Sequence, residues 1–262
     1  MRVVVKVGTS TLAHAGGRLN IRRVELLCKV LSDIKNAGHQ VVLVSSGAIG
    51  MGVGKLGLPG RPQDMPGKQA AAAVGQCELM YTYDKLFSQY SHTVAQILLT
   101  AEDIYDSRRS IHVHDTLTRL LEWNALPVIN ENDAVATDEI GIQTTIGEND
   151  SLSAIVAKLV EADLLILLSD IEGLYTADPK KHPEAELIPL VKEITPEILS
   201  LAGGAGSSLG TGGMTTKLKA AQIATDAGVD MIITNGEYPE RLYDMFDGKA
   251  VGTKFVGKGV PV

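Results

Sequence analysis

Apolar residues along this chain follow two alternating rhythms. Short, nearly continuous hydrophobic runs at Arg2 to Val7, Gln40 to Ser45, Thr93 to Leu99, Leu126 to Ile129, Leu164 to Leu168 and Met231 to Thr234 read as strands buried on both faces, as in a parallel sheet. Between them the apolar positions recur at helical spacing. Asn20 caps the first such stretch, which places Val24, Leu27, Cys28 and Leu31 on one face and ends at Gly38. A helix starts after Gly47, and a proline-rich loop from Pro59 to Gly67 leads into a long one that runs to about Tyr90. Ser107 caps a helix carrying Val113, Leu117 and Leu120. Leu152, Ile155, Val156 and Leu159 mark the next, and Ala220, Ile223, Ala224 and Ala227 mark another that Gly228 stops. Lys180 to Glu197 reads as surface loop and short helix. Strands and helices alternate with no composition break, repeat or linker. That pattern predicts a single domain over residues 1–262, a three-layer α/β/α sandwich with a mainly parallel central sheet.

Several polar residues interrupt the pattern where such sheets bind ligands, at the carboxyl ends of strands. Lys6 sits inside an otherwise apolar strand, followed by Gly8-Thr9-Ser10, so it points either into the ligand crevice or outward from an edge strand. Ser45-Ser46-Gly47 joins a strand end to a helix start and forms an anion nest in which Ser46 donates its hydroxyl or merely caps. Gly210-Thr211-Gly212-Gly213-Met214-Thr215-Thr216-Lys217 is a second nest. Its glycines let backbone N–H groups approach a phosphate, and Lys217 shares the inner face of the following helix with Ala220. The most polar stretch runs from Asn130-Glu131-Asn132-Asp133 to Glu148-Asn149-Asp150. Helix capping accounts for Asn149 and Asp150 but not for Asp133, which follows a strand end. Ser169 and Asp170 close the most apolar strand. Two glycine motifs are rejected. Gly52-x-Gly54-x-x-Gly57 does not lie directly between a strand and a helix, and Gly252 to Lys258 lacks the hydroxyl residue and helix that a P-loop needs.

Composition narrows the class. Hydrophobic residues make up 45% and charged residues 21% of 262, ordinary for a globular protein with an adequate core. The net charge of -7 and an aromatic content of 4% offer no basic footprint and few stacking platforms for nucleic acid. No apolar run reaches membrane-spanning length, and the amino terminus lacks signal-peptide order, so no membrane association and a cytoplasmic location are expected. Cys28 and Cys77 have no metal-type spacing and read as free buried thiols. His112 and His114 alternate within a helical stretch and point apart, which disfavours a metal site there.

Two lysines on separate elements, two glycine nests and an acidic, amide-rich loop suggest phosphoryl transfer without the common nucleotide motif. No histidine or activated serine stands out as a general base, which favours a carboxylate acceptor and an acyl phosphate product. Asp150 either accepts from both lysines or helps to hold magnesium.

Six ordered motifs then carry a resemblance over nearly the whole chain. They are Lys6-Val-Gly-Thr-Ser, Ser45-Ser-Gly-Ala-Ile-Gly, Asn130-Glu-Asn-Asp-Ala-Val-Ala, Gly147-Glu-Asn-Asp-Ser-Leu, Leu168-Ser-Asp-Ile-Glu-Gly-Leu-Tyr and Gly210-Thr-Gly-Gly-Met-Thr-Thr-Lys-Leu. The series resembles that of the γ-glutamyl kinases of proline biosynthesis, within the amino acid kinase family. The resemblance implies the amino acid kinase fold and the conversion of ATP and L-glutamate, with Mg2+, to ADP and L-glutamyl 5-phosphate. It implies that Lys6 and Lys217 stabilise the transferring phosphoryl group and that Asp150 organises them. Ser46, Asp133 and Asn149 would hold glutamate. Lys6, Ser169, Asp170, Thr211, Gly212, Gly213, Met214, Thr215, Thr216 and Lys217 would line the nucleotide site. It also implies a homo-oligomer, proline as feedback inhibitor and functional coupling to glutamyl phosphate reductase. Many bacterial members add a carboxyl-terminal PUA domain, which this chain is expected to lack. The segment between Asp133 and Asn149 is a few residues longer than in some members and borders the amino-acid site, where it bears on proline sensitivity.

Three rivals stand beside this reading. An N-acetylglutamate kinase would share the lysines, but its acylated amine would not want Asp133 as a charged partner. A non-catalytic sensor would not need Lys6, Lys217 and Asp150 together. A nucleotide-dependent oxidoreductase would need the glycine fingerprint elsewhere.

Overall fold

The computed structural model describes residues 1–14, 18–135, 148–202 and 213–259. Along the chain these form β1 (Arg2–Val7), α1 (Thr9–Leu12), α2 (Ile21–Asn36), β2 (Gln40–Ser45), α3 (Ala48–Leu56), α4 (Met65–Ser88), β3 (Val94–Leu99), α5 (Ala101–Tyr105), α6 (Ser107–Glu122) and β4 (Leu126–Glu131). Then follow α7 (Asn149–Leu159), β5 (Leu164–Ser169), β6 (Leu190–Val191), α8 (Pro196–Ser200), α9 (Met214–Asp226), β7 (Asp230–Asn235), α10 (Arg241–Phe246) and β8 (Thr253–Phe255).

The strands make one sheet in the order β3-β4-β2-β1-β5-β7-β8-β6. From β3 to β7 every pairing is parallel, so the carboxyl ends of six strands share one edge. β8 runs antiparallel to β7, and β6 pairs with β8. β1 is central, with Lys6 opposite Val44 on β2 and Leu167 on β5. The edge-strand alternative for Lys6 is therefore excluded. The chain crosses first to one side of β1 and later to the other, so the switch point falls at the end of β1.

Alternation along the strands sorts the core into two halves. Val3, Val5 and Val7 pack with Leu27, Leu31, Leu79 and Tyr83 of α2 and α4 on one face. Val4, Val44 and Leu167 pack with Leu117 of α6, Leu152 and Val156 of α7, and Leu218 and Ala221 of α9 on the other. With helices on both faces, this is the three-layer α/β/α sandwich that the apolar runs predict. Lys6 shares its parity with Val4 and so belongs to the α7 and α9 face.

One of the glycines rejected as a nucleotide fingerprint, Gly52, has a packing role, together with Gly75. A Cβ on Gly52 of α3 would stand 1.8 Å from the Ala71 carbonyl oxygen of α4, and one on Gly75 of α4 would stand 1.8 Å from the Ala48 oxygen of α3. The two backbones touch because neither glycine carries a side chain. Gly57, at φ 64°, ends α3 in the left-handed region.

Three details differ from the sequence reading. Asp106, not Ser107, caps α6, accepting from the N–H groups of Arg108 and Arg109 at 3.0 Å each. A carboxylate before the serine takes the cap because it accepts from both amides at once. Leu190–Val191 is a strand rather than loop; it pairs with Thr253–Phe255, to which the sequence reading gave no element, and both are formed by pairings between distant segments too short to show a period. Cys28 is buried, but Cys77 lies on the exposed side of α4. No helix among the described residues is long and apolar enough to cross a membrane.

Gly75→Ala forces α3 and α4 apart and is expected to cost about 3 kcal/mol, readable as a lowered urea midpoint. Ala73→Gly, at an exposed position of the same helix, is expected to cost no more than about 1 kcal/mol.

Candidate active site

Lys6 is the penultimate residue of β1, just before the switch point, and α7 and α9 bring the groups it meets. Its Nζ lies 2.7 Å from Asp150 Oδ1, while Lys217 Nζ lies 3.2 Å from Asp150 Oδ2. One carboxylate thus bridges two ammonium groups from two different elements. The Thr216 hydroxyl donates to the same Oδ2 at 3.0 Å and also reaches the Gly213 carbonyl at 2.8 Å, tying the first turn of α9 to the carboxylate. Asp150 lies in the first turn of α7, where the helix dipole favours negative charge. The Asp150 side chain is only 2% exposed, and those of Lys217 and Lys6 only 7% and 12%. Burial alone would raise its pKa, but the ammonium groups of Lys6 and Lys217 outweigh that and hold it below the ordinary carboxylate value. The cluster presents two lysines held side by side at a sheet edge, an arrangement suited to a polyanion.

A second network begins beside it. The Asn149 amide donates to Ser46 Oγ at 2.7 Å and to Asn130 Oδ1 at 2.9 Å, and the Asn130 amide donates to Gln76 Oε1 at 3.0 Å. It links the β2–α3 turn, the end of β4, the start of α7 and the middle of α4. The turn itself needs glycine, since Gly47 stands at φ 102° before α3. Neither Asn149 nor Asp150 is the cap of α7, because Glu148 occupies that position. Their side chains are engaged in the two networks instead.

The remaining predicted residues have simpler surroundings. Asp133 lies just past β4, and burial pushes its carboxyl up, partly offset by the positive charge of Arg61. Among the described residues no hydrogen bond joins it to the Ser46–Asn149 network. Ser169 is buried at the end of β5, its hydroxyl 3.2 Å from Oδ1 of the exposed Asp170. Gly213 precedes α9 in extended conformation, Met214 opens that helix half-buried, and the Thr215 hydroxyl donates to the Ala202 carbonyl at 3.3 Å. Thr211 and Gly212 fall outside the described residues.

Sequence reasoning assigned no role to Gln76, Asn130 or Glu148. Glu148 adjoins the ion cluster. Burial pushes its carboxyl up, the Thr216 hydroxyl opposes that, and the negative charge of Asp150 adds to it. Its Oε2 is buried without a hydrogen-bond partner. Asn130 stood inside a quoted motif, whereas Gln76 showed only as one polar residue in an alanine- and glycine-rich helix.

The fold and the paired-lysine cluster define a phosphotransferase-like α/β protein, and comparison with known proteins makes the class specific. The family model described as "Amino acid kinase family" matches residues 1–235, and the chain belongs to that family. Among solved structures, the isopentenyl phosphate kinase of T. acidophilum superposes with a TM-score of 0.67 at 20% identity, covering 97% of this chain and 100% of that one. The carbamate kinase from Giardia lamblia bound to AMP-PNP gives 0.67 at 20% identity, covering 98% of both. At this identity they bear on the fold alone. Relatives named glutamate 5-kinase are far more similar in sequence. The protein of Clostridium tetani is 56% identical over 97% of this chain and 93% of its own length. That of Clostridium perfringens is 54% identical over 98% and 96%. The Caldanaerobacter subterraneus protein is 48% identical over 100% of this chain and 69% of its own length. Within the amino acid kinase family, the chain therefore groups with the glutamate 5-kinases.

Asp150→Ala removes the carboxylate that both buried ammonium groups face and is expected to cost about 3 kcal/mol in urea denaturation. Adding Lys217→Met should recover part of that loss. In the unsubstituted protein, Asp150's contribution is fully present above its ordinary value of 3.8 and lost as pH falls through its lower folded value.

Proposed function

We propose that this protein catalyses ATP-dependent phosphorylation of the γ-carboxylate of L-glutamate, giving L-glutamyl 5-phosphate and ADP, the first step of proline biosynthesis from glutamate. The observation that supports it most directly is the bridge from Lys6 through Asp150 to Lys217. In the reaction a γ-carboxylate oxygen forms a bond to the γ-phosphorus of ATP as the bond to the β,γ-bridging oxygen breaks, and ADP leaves with that electron pair. No proton need be removed from a carboxylate at neutral pH, which suits a site organised by lysines. The two ammonium groups neutralise charge on the transferring group, and Asp150 fixes their spacing. Ser46 and Asn149 hold the acid, and Asp133 faces its α-ammonium. Ser169, Asp170 and the segment from Thr211 to Lys217 line the nucleotide site, where the amino end of α9 favours phosphate.

The residues present fit magnesium carried mainly by the nucleotide's own oxygens. Both oxygens of Asp150 already face lysines, whereas the buried Oε2 of Glu148 has no hydrogen-bond partner and has the hard-oxygen chemistry of a magnesium ligand. Bound magnesium would neutralise phosphate charge. The same reading includes homo-oligomerisation, proline as feedback inhibitor, and a reductase that consumes the labile acyl phosphate.

The test is ADP release with ATP, magnesium and L-glutamate, with hydroxylamine trapping the acyl phosphate. Hydroxamate is expected with L-glutamate and not with N-acetylglutamate or aspartate; no turnover with any of the three acids would overturn the reading. Lys217→Ala is expected to lower kcat at least about a hundredfold while the protein stays folded, as judged by circular dichroism. Because Asp133's pKa is raised, its protonation on acidification removes the partner of the ammonium. The KM for L-glutamate should therefore rise as pH falls, and Asp133→Asn should raise it at neutral pH and flatten that rise.

A further inference from the structure

The hydrogen-bond network at the acid-binding side ends on a residue with no assigned role. Gln76 lies in the middle of α4, far in sequence from every motif, yet it is 8% exposed and its Oε1 accepts from the Asn130 amide at 3.0 Å. It reaches that place because Gly75, its neighbour, lets α4 press against the first turn of α3, directly after Ser46-Gly47. Asn130 is 2% exposed and points at Asn149 with its other end.

The direction of these bonds matters. An asparagine amide turns easily about its last torsion, so its oxygen and nitrogen exchange places unless partners distinguish them. In the structure Gln76 turns its Oε1 to Asn130, and in that orientation the acceptor keeps the Asn130 nitrogen on its side and turns the Asn130 oxygen towards Asn149. A flipped Asn130 would set two N–H donors against each other at the part-buried contact with Asn149. With Asn130 fixed, the Asn149 amide spends both hydrogens, on Asn130 and on Ser46. Its Oδ1 is left to accept. Ser46 Oγ receives one of those hydrogens, which leaves the hydroxyl hydrogen of Ser46 to donate to a carboxylate.

We infer that Gln76 is a positioning residue for the acidic substrate: with its Oε1 turned to Asn130, it holds the Asn130–Asn149–Ser46 chain in the sense in which Ser46 presents a donor and Asn149 an acceptor. The inference rests on the assignment of Ser46 and Asn149 to L-glutamate. It goes beyond that assignment by placing the control of their hydrogen-bonding sense on the opposite helix.

The experiment compares steady-state kinetics of Gln76→Met, Gln76→Glu and Ser46→Ala, with thermal unfolding of each. Methionine keeps the length and burial but removes the acceptor. Gln76→Met is expected to raise the KM for L-glutamate about tenfold, the factor that corresponds to one ordinary hydrogen bond, with the KM for ATP within about twofold of the unsubstituted protein. Gln76→Glu retains an oxygen facing Asn130 and is expected to fall closer to the unsubstituted protein than Gln76→Met does. Equal rises in both KM values, or a glutamate variant no better than the methionine one, would mean a packing role and overturn the inference. If Ser46→Ala raises the KM for L-glutamate and Gln76→Met does not, the inference fails while the site assignment stands. If neither moves it, the assignment falls and takes the inference with it.

Discussion

The candidate site depends on one buried carboxylate held between two cations. Lys6 and Lys217 come from a strand and a helix that lie far apart in sequence, and like charges so near each other under little solvent would repel strongly. Asp150 makes the arrangement possible by giving each ammonium its own oxygen. The aspartate benefits as well, since its charge survives burial only because both cations face it. Charge, position and function are thus coupled: the group that lets the lysines be buried is also the one that sets the gap between them.

The sheet supplies the frame for that contact. A central parallel strand, flanked on both sides, fixes the height and parity of Lys6, and the reversal of strand order at β1 opens a crevice at its end. Helices α7 and α9 pack on the same face through residues such as Leu152, Val156, Leu218 and Ala221, so their amino-terminal turns arrive beside Lys6 as a consequence of core packing. On the other face, close contact between α3 and α4 serves the Ser46–Asn149 network in a comparable way. Gly52 and Gly75 remove the bulk that would separate the helices, and the turn that carries Ser46 rests on that contact.

Two electrostatic regimes meet at this edge. Around Asp150 the cations prevail and the carboxylate stays charged. At Glu148 and Asp133 burial prevails and both carboxyls are pushed up. Groups in the second state gain most from an arriving cation, whether a substrate ammonium or a metal ion, because such a partner restores what desolvation removed. One acid is thus satisfied within the protein, while the other two carry the cost of burial.

Much of this was legible in the sequence. Continuous apolar runs fixed the parallel strands, helical spacing fixed the helices between them, and Lys6, Ser46, Asn149, Asp150 and Lys217 stood out as polar residues where the pattern called for apolar ones or for caps. Local signals suffice there, because strand burial and helix amphipathicity are written in neighbouring residues. Other features needed the tertiary structure. The strands Leu190–Val191 and Thr253–Phe255 exist only through pairing across the chain, and Asp106 displaced Ser107 as a cap through geometry that both residues could have satisfied. The role of Gly52 and Gly75 is a contact between two helices, invisible to a glycine-spacing motif. Gln76 was the least legible of all. Nothing about a glutamine in an alanine-rich helix announces a partner, and only the approach of α4 to the end of β4 gives it one.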